Sequence, residues 1–234
     1  MLMGIDSELG AETRDINIAA KGGHIVSVPL NILTGMILGD ASLVVSHGGR
    51  HAMLKLQHSP SQRSYLLHKV AILREITHVN VREVPDNGWG YGTIIAETRT
   101  HPIYTKLRKR WYPNGRKTIS LQALMPLDAQ GLAYWYMDDG SLTIHYRVLT
   151  SGRKSPKSRE IHFHTQAFSR EEHEIMREFL TERFGISTRI SRHKGKYWVL
   201  GMGAKEGQKL FDIIRPYVLP MFDYKMNMHY VNAR

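Results

Sequence analysis

The sequence predicts an α+β protein of two similar halves, each running helix, strand, strand, helix, strand, strand, helix. Three observations predict it. An apolar run closing on an acid and a small residue occurs twice, as Leu33–Ala41 and Leu132–Gly140. Each copy follows a Pro-Leu pair, Pro29-Leu30 and Pro126-Leu127, and proline suits a helix start because the N–H it lacks would have had no intrahelical partner. After each copy, short strand-like stretches and helical stretches return in the same order. Asp40 and Asp139 lie 99 positions apart in a chain of 234 residues, which points to a duplicated half with one acid in each. The expected division is an arm over 1–28, a first half over 29–126 and a second over 127–234.

An acid at the end of an apolar helix sits where the macrodipole leaves partial negative charge, so it costs stability unless a cation or ligand compensates. One such ending is ordinary helix-to-turn chemistry. Two in matching context point to a function.

Composition narrows the class. Hydrophobic residues make up 42% of the chain and charged residues 23%, as in a globular domain large enough to bury a core. No apolar run approaches the roughly 18 residues of a membrane span, and early Asp6, Glu8 and Glu12 are unlike a signal peptide, so an intracellular protein that is neither secreted nor membrane-bound is expected. Thirty-two Lys and Arg against 21 Asp and Glu leave a formal charge of +11, the electrostatic footprint of a nucleic-acid binder. The absence of cysteine excludes disulfides and thiolate zinc sites.

Residues 1–28, with Gly22-Gly23, show no sustained period and read as a loosely docked arm. A helix from Pro29 to about Asp40 comes next, then strands over Ser42–Val45 and Ala52–His58 joined through His47-Gly48-Gly49-Arg50. A helix over Ser59 to about Val79 places Tyr65, Leu66, Ile72, Leu73 and Ile76 near one face. Strands Val81–Val84 and Tyr91–Thr98 flank the turn Pro85-Asp86-Asn87-Gly88. Thr100 is expected to cap a basic helix, and the polar stretch Pro113–Lys117 closes this set of elements. The second set gives a strand over Ser141–Tyr146, a long mobile basic connection and a returning strand over Glu160–Thr165. Ser169 and Glu172 form a capping box and Gly185 a stop for the next helix. Strands Ile186–Ser191 and Lys196–Met202 and a helix over Lys205–Ile214 complete it.

Two four-stranded antiparallel sheets are implied, each with helices on one face and the other face left free for charge. Period-two spacing places Lys55 with Gln57, His162 with His164, and Arg189 with Ser191 on one side of their strands.

With both motifs and the repeat in view, the sequence resembles the LAGLIDADG homing endonucleases of the monomeric two-motif type, over roughly residues 29–228. Lys117 in Lys117-Thr118-Ile119 and Lys225 in Tyr224-Lys225-Met226 match the family by context, one for each half. The resemblance implies two pseudo-symmetric αββαββα halves forming a DNA-straddling saddle, with the motif helices packed at a pseudo-twofold axis. It implies a site-specific double-strand break in a long DNA target by divalent-metal-dependent hydrolysis, leaving short 3′ overhangs. Mg²⁺ is the expected cofactor, with Mn²⁺ able to substitute, and a monomer is expected. Tyr134 stands where the family name has its first glycine and Asp138 where a small residue is usual.

On that resemblance Asp40 and Asp139 hold metal, with Gly39 and Asp138 also placed at the metal site. Alignment favours Asp139 over Asp138, and neighbours on a helix point about 100° apart, so both cannot serve equally. Lys117 and Lys225 line two solvent pockets, and Gln57 and His164 neighbour the attacking waters. Candidate DNA contacts are Arg50, Lys55, Gln57, His145, Arg147, Arg153, Lys154, His162, Arg189, Arg192 and Lys194, some reading base edges and others meeting phosphates. Two alternatives stay open, an RNA-binding intron maturase with intron RNA as partner and a non-cleaving DNA-binding regulator. Retention of both acids and both lysines favours the nuclease. Met1 and the lack of flanking splice-junction residues weigh against an excised intein.

Overall fold

The computed structural model describes residues 15–19, 25–86, 92–193 and 195–228. Asn87, Gly88, Tyr91 and Gly22-Gly23, named above in turns and strands, lie outside them. The chain forms two compact units, Met1–Lys117 and Thr118–Arg234, so the division falls ahead of the expected one after residue 126. The reason is where the intervening residues pack. Ile119 N–H donates to the buried Glu172 carboxylate at 2.9 Å, and the short helix Leu121–Leu124, capped by Ser120, lies against a helix of the second unit.

In the first unit, β1 (Asp15–Ala19) and β2 (Ile25–Pro29) pair antiparallel, with Asp15 opposite Pro29. This hairpin forms in the stretch where a loosely docked arm is expected. Its alternation, Val26 with Val28, is too short to stand out by period alone. Helix α1 (Leu30–Leu38) follows directly, with Pro29 as its N-cap. Then come β3 (Ser42–Val44), β4 (Met53–His58), α2 (Arg63–Arg74), β5 (Val79–Val84), β6 (Thr93–Thr98) and α3 (Pro102–Trp111). The sheet order is β3-β4-β6-β5, antiparallel throughout. Tyr65, Leu66, Val70 and Leu73 of α2 are buried, as are Leu54, Leu56, Ile94 and Ala96 of the sheet it covers.

Two of the boundaries that differ from expectation have a clear physical cause. Helix α2 stops at Arg74 because the β-branched Thr77, Val79 and Val81 favour extended backbone, and buried Val79 pairs with Thr98. The cap of α3 is His101 rather than Thr100, its Nδ1 accepting from Ile103 N–H at 3.3 Å. Pro102 biases the residue before it toward extended backbone, which fixes the helix start.

The second unit holds α4 (Leu121–Leu124), α5 (Ala129–Asp139), β7 (Gly140–Val148), β8 (Lys154–Phe163), α6 (Arg170–Phe184), β9 (Arg189–His193), β10 (Tyr197–Gly203) and α7 (Ala204–Ile214). Its sheet runs β7-β8-β10-β9, also antiparallel. The basic connection expected after Tyr146 is instead the distal part of a long hairpin, turned by Leu149 N–H on Arg153 C=O and by Gly152 at φ 77°. Its residues are mostly exposed, so no apolar alternation reveals the strands. The returning strand ends at Phe163, short of Thr165. Helix α6 has the full capping box of Ser169 and Glu172, and Gly185 stops it at φ 66°.

Aromatic rings fill this core. Trp135 stacks on Phe163 with centroids 4.1 Å apart, and Tyr136 meets Phe211 edge-on at 5.5 Å. Helix α7 approaches β8 so closely that a β-carbon on Gly207 would strike the Ile161 side chain. No helix among the described residues is long and apolar enough to cross a membrane.

Gly207→Ala is therefore expected to lower stability by about 1–3 kcal/mol, the usual cost of forcing volume into a packed core. The urea midpoint of the variant measures it. An unchanged midpoint would show that Ile161 gives way freely.

Candidate active site and nucleic-acid interface

Each motif helix is apolar on nearly every side. Eight of the nine residues of α1 are buried, as are Gly131–Met137 of α5. Such a helix delivers its terminal carbonyls into surroundings with little water, and those carbonyls have no intrahelical donor. In the first unit Lys117 supplies one. Its Nζ donates to Ile37 C=O at 2.6 Å, Ala41 C=O at 2.9 Å and Gly39 C=O at 3.3 Å. In the second unit Lys225 Nζ donates to Met137 C=O at 2.7 Å and lies 3.5 Å from Asp138 C=O. The two ammonium groups offset the negative ends of α1 and α5, where the acids stand.

Asp40 lies just beyond the C-cap Gly39, its side chain 37% exposed. Asp139 is the last residue of α5, and Asp138 and Asp139 are both half-buried. Gly39 and Asp138, the residues before Asp40 and Asp139, each turn a carbonyl to the lysine of their unit. Gly140 packs so tightly that a β-carbon there would overlap the ring and carbonyl of Tyr136. The Tyr136 hydroxyl in turn donates to Lys225 C=O at 2.8 Å, which ties the lysine's segment to the helix. Tyr134 is buried, and burial, with the charge of Asp138, pushes its phenol up to about 12.

Gln57 and His164 take matching places. Gln57 is exposed on β4, on the side away from α2. His164 follows β8, and its peptide N–H donates to Asp139 C=O at 2.9 Å. Gln166 Nε2 donates to His164 Nδ1 at 3.2 Å, so Nε2 carries the ring proton and donates to Ser141 Oγ at 2.9 Å. Burial lowers the pKa of His164, helped by the charges of His193 and Lys225.

The free faces carry most of the other candidates. On the first sheet Lys55 and Arg82 flank Glu97 at 3.4 and 3.7 Å. On the second, Glu160 sits 3.0 Å from Arg189, 3.8 Å from His145 and 3.9 Å from His162. Arg50 is exposed in the β3–β4 connection, Arg147 on β7, and Arg153 and Lys154 at the distal end of the β7–β8 hairpin. Arg192 stands apart. It pairs across the sheet with Trp198, one position out of phase with Arg189, and lies over the indole at 4.5 Å, the ring that Arg170 of α6 approaches at 5.3 Å. Lys194 lies outside the described residues. Sequence reasoning missed Arg82, Glu97, Glu160 and His193. A glutamate among polar strand positions looks like any solvated residue, and only the register reveals the cations around it.

Residues 30–210 match the model of the LAGLIDADG DNA endonuclease family. The chain belongs to that family. A probable intron-encoded DNA endonuclease 3 of Mycosarcoma maydis is 38% identical over 135 residues, covering 56% of this chain and 90% of its own length. A RecA protein of Mycobacterium shimoidei is 27% identical over 217 residues, and there the match covers 92% of this chain but 50% of the relative. Among solved structures, the homing endonuclease I-WcaI bound to its DNA recognition sequence is similar with a TM-score of 0.70 at 26% identity, covering 84% of each chain. The two four-stranded antiparallel sheets are thus those of a LAGLIDADG fold.

Lys117→Met should lower stability by about 2 kcal/mol, the upper range for a partly buried cation at a helix C-terminus. Denaturant unfolding checks it. A second expectation concerns pH. His68, His101, His162, His164 and His173 are all held below their ordinary pKa, with burial the largest cause in each. The unfolded chain then takes up protons first, so stability should fall as pH drops from about 7.5 to 5.5 and return as it rises. Urea midpoints across that range give the sign.

Proposed function

We propose that this DNA endonuclease makes a double-strand break in one long duplex target by divalent-metal-dependent phosphodiester hydrolysis, leaving short 3′ overhangs. Double-stranded DNA is its partner, and a single chain acts alone because it carries both acids. The observation that supports this most is that each unit joins a helix-terminal aspartate to a lysine on the same helix end, Asp40 with Lys117 and Asp139 with Lys225.

The donor set fits a hard cation. Carboxylate oxygens of Asp40 and Asp139 suit Mg²⁺, with Mn²⁺ as a substitute, and both acids reach solvent. Gly39 and Asp138 flank them, each already turning a carbonyl to a lysine. When bound, such a metal neutralises phosphate charge and lowers the pKa of a bound water. The chain's own residues do the rest. Lys117 and Lys225 hold the acid-bearing helix ends and keep positive charge beside them. Exposed Gln57 orients water in the first half, and Ser141, whose hydroxyl His164 meets, does so in the second. Arg50, Lys55, Arg82, His145, Arg147, Arg153, Lys154, His162 and Arg189 offer donors to base edges and phosphates.

Cleavage of a randomised duplex library in Mg²⁺, with EDTA as control and sequencing of the ends, tests this reading. Metal-dependent cuts at one site with 3′ overhangs are expected. Asp40→Asn and Asp139→Asn should each lose more than the roughly 10–100-fold of an outer-shell change, with DNA binding kept. If Asp138→Asn is inactive while Asp139→Asn cuts, the second motif is shifted by one residue. Binding without cleavage in Mg²⁺ and Mn²⁺ would favour the regulator or the maturase.

A further inference from the structure

An ion pair on the free face of the second sheet reaches over a whole strand. Arg189 lies on β9 and Glu160 on β8, with β10 between them. Neighbouring strands are about 5 Å apart, so the backbones that carry the pair stand about 10 Å apart. The side chains nevertheless meet, Arg189 Nη2 to Glu160 Oε1 at 3.0 Å. The residues of β10 beneath them are glycines. Gly201 pairs with Arg189 on one side and His162 on the other, and Gly203 pairs with Glu160.

A glycine inside a strand weakens it, and it often marks a place that another group approaches closely. A β-carbon on Gly201 would come within 2.9 Å of His162 Cδ2 and 3.7 Å of Arg189 Nε, so imidazole and guanidinium crowd the space a side chain would take. A β-carbon on Gly203 would meet nothing within 4 Å. Strand β10 thus forms a shallow trough floored by backbone and walled by Glu160, His162 and Arg189.

The pair keeps hydrogen-bonding capacity in reserve. Arg189 meets Oε1 through Nη2, and a guanidinium has five N–H donors in all. Glu160 Oε2 stands 3.8 Å from His145 Nε2 and 3.9 Å from His162 Nε2, longer than a hydrogen bond. The Arg189 side chain is 50% exposed and that of Glu160 35%, so both can be reached. Side by side they present a forked donor and a carboxylate acceptor. In the major groove a guanine–cytosine pair displays the complement, two acceptors on guanine and an amino donor on cytosine. Thymine or guanine in the place of cytosine would instead set a carbonyl oxygen against the carboxylate. An acid on a DNA-binding face also repels phosphate, so it lowers affinity in general and raises discrimination.

We propose that Arg189 and Glu160 together read one guanine–cytosine pair, Arg189 on guanine and Glu160 on the cytosine amino group, with Gly201 clearing the space in which they meet. The inference rests on the reading that this sheet face meets duplex DNA. Arg189 supplies the attraction and Glu160 the exclusion, which makes both of them specificity residues of the second half.

The test is a binding selection with the full chain in EDTA, which withholds the metal. Randomised duplexes bound by the wild type, Arg189→Ala, Glu160→Ala and the double variant are recovered and sequenced. The wild type is expected to favour guanine–cytosine at one position by at least about fivefold, the lower range for a bidentate contact. Each single variant should weaken the preference at that same position, and the double variant should relax no other. Glu160→Ala should in addition bind unselected duplex more tightly, which loss of a merely structural ion pair would not produce. Gly201→Val, which fills the trough, should relax the same pair, and should it not fold, the variants of the two exposed residues decide. Relaxation at two different positions, or at none while the wild type still selects a sequence, would overturn the proposal and leave the DNA reading standing. A wild type that selects no sequence would overturn both.

Discussion

An ammonium group on the closing carbonyls of each motif helix is the contact on which the rest depends. An apolar helix can be buried on all sides, but its last carbonyls then need donors, and an acid beside them adds to the negative potential. Lys117 and Lys225 meet both demands. Each comes from far along the chain, 76 to 80 positions from its acceptors for Lys117 and 87 to 88 for Lys225. The chemistry of each helix end is thus assembled only when its own half has closed.

The free faces show a different balance. A basic sheet with no acid on it would repel itself before any partner arrived. Glu97 lies 3.4 and 3.7 Å from Lys55 and Arg82, and Glu160 lies 3.0 Å from Arg189. Ion pairs this exposed are each worth only about 0–1 kcal/mol, so they hold side chains apart without fixing them. Lysine and arginine can leave the carboxylate for a phosphate or a base at little cost. The face is ordered enough to keep its spacing and loose enough to rearrange.

Much of this was legible in the sequence, and what was not has a physical explanation. The repeated motifs, the αββαββα order, the capping box at Ser169 and the stop at Gly185 rest on local signals of period, caps and left-handed glycine. The lysines came from resemblance, and their contact with helix carbonyls had no local sign because the partners are so distant in sequence. The β7–β8 hairpin reads as a mobile loop in the sequence because its pairing lies in the backbone while its side chains stay wet. The buried pair of His58 on β4 and Lys69 on α2, 3.3 Å apart, went unnoticed for the opposite reason. A lysine reads as surface in any sequence, and only packing of α2 on β4 puts one in the core.

The pairing of His58 with Lys69 also bears on how such a chain ages after duplication. The two halves fill the space behind the strand differently, with His58 against Lys69 in one and Thr165 against His173 in the other. Neither partner of a pair can drift into the other half's chemistry alone, since a lone histidine or lysine would be stranded in the core. A symmetric enzyme made by joining two copies of one half would carry that half's arrangement twice.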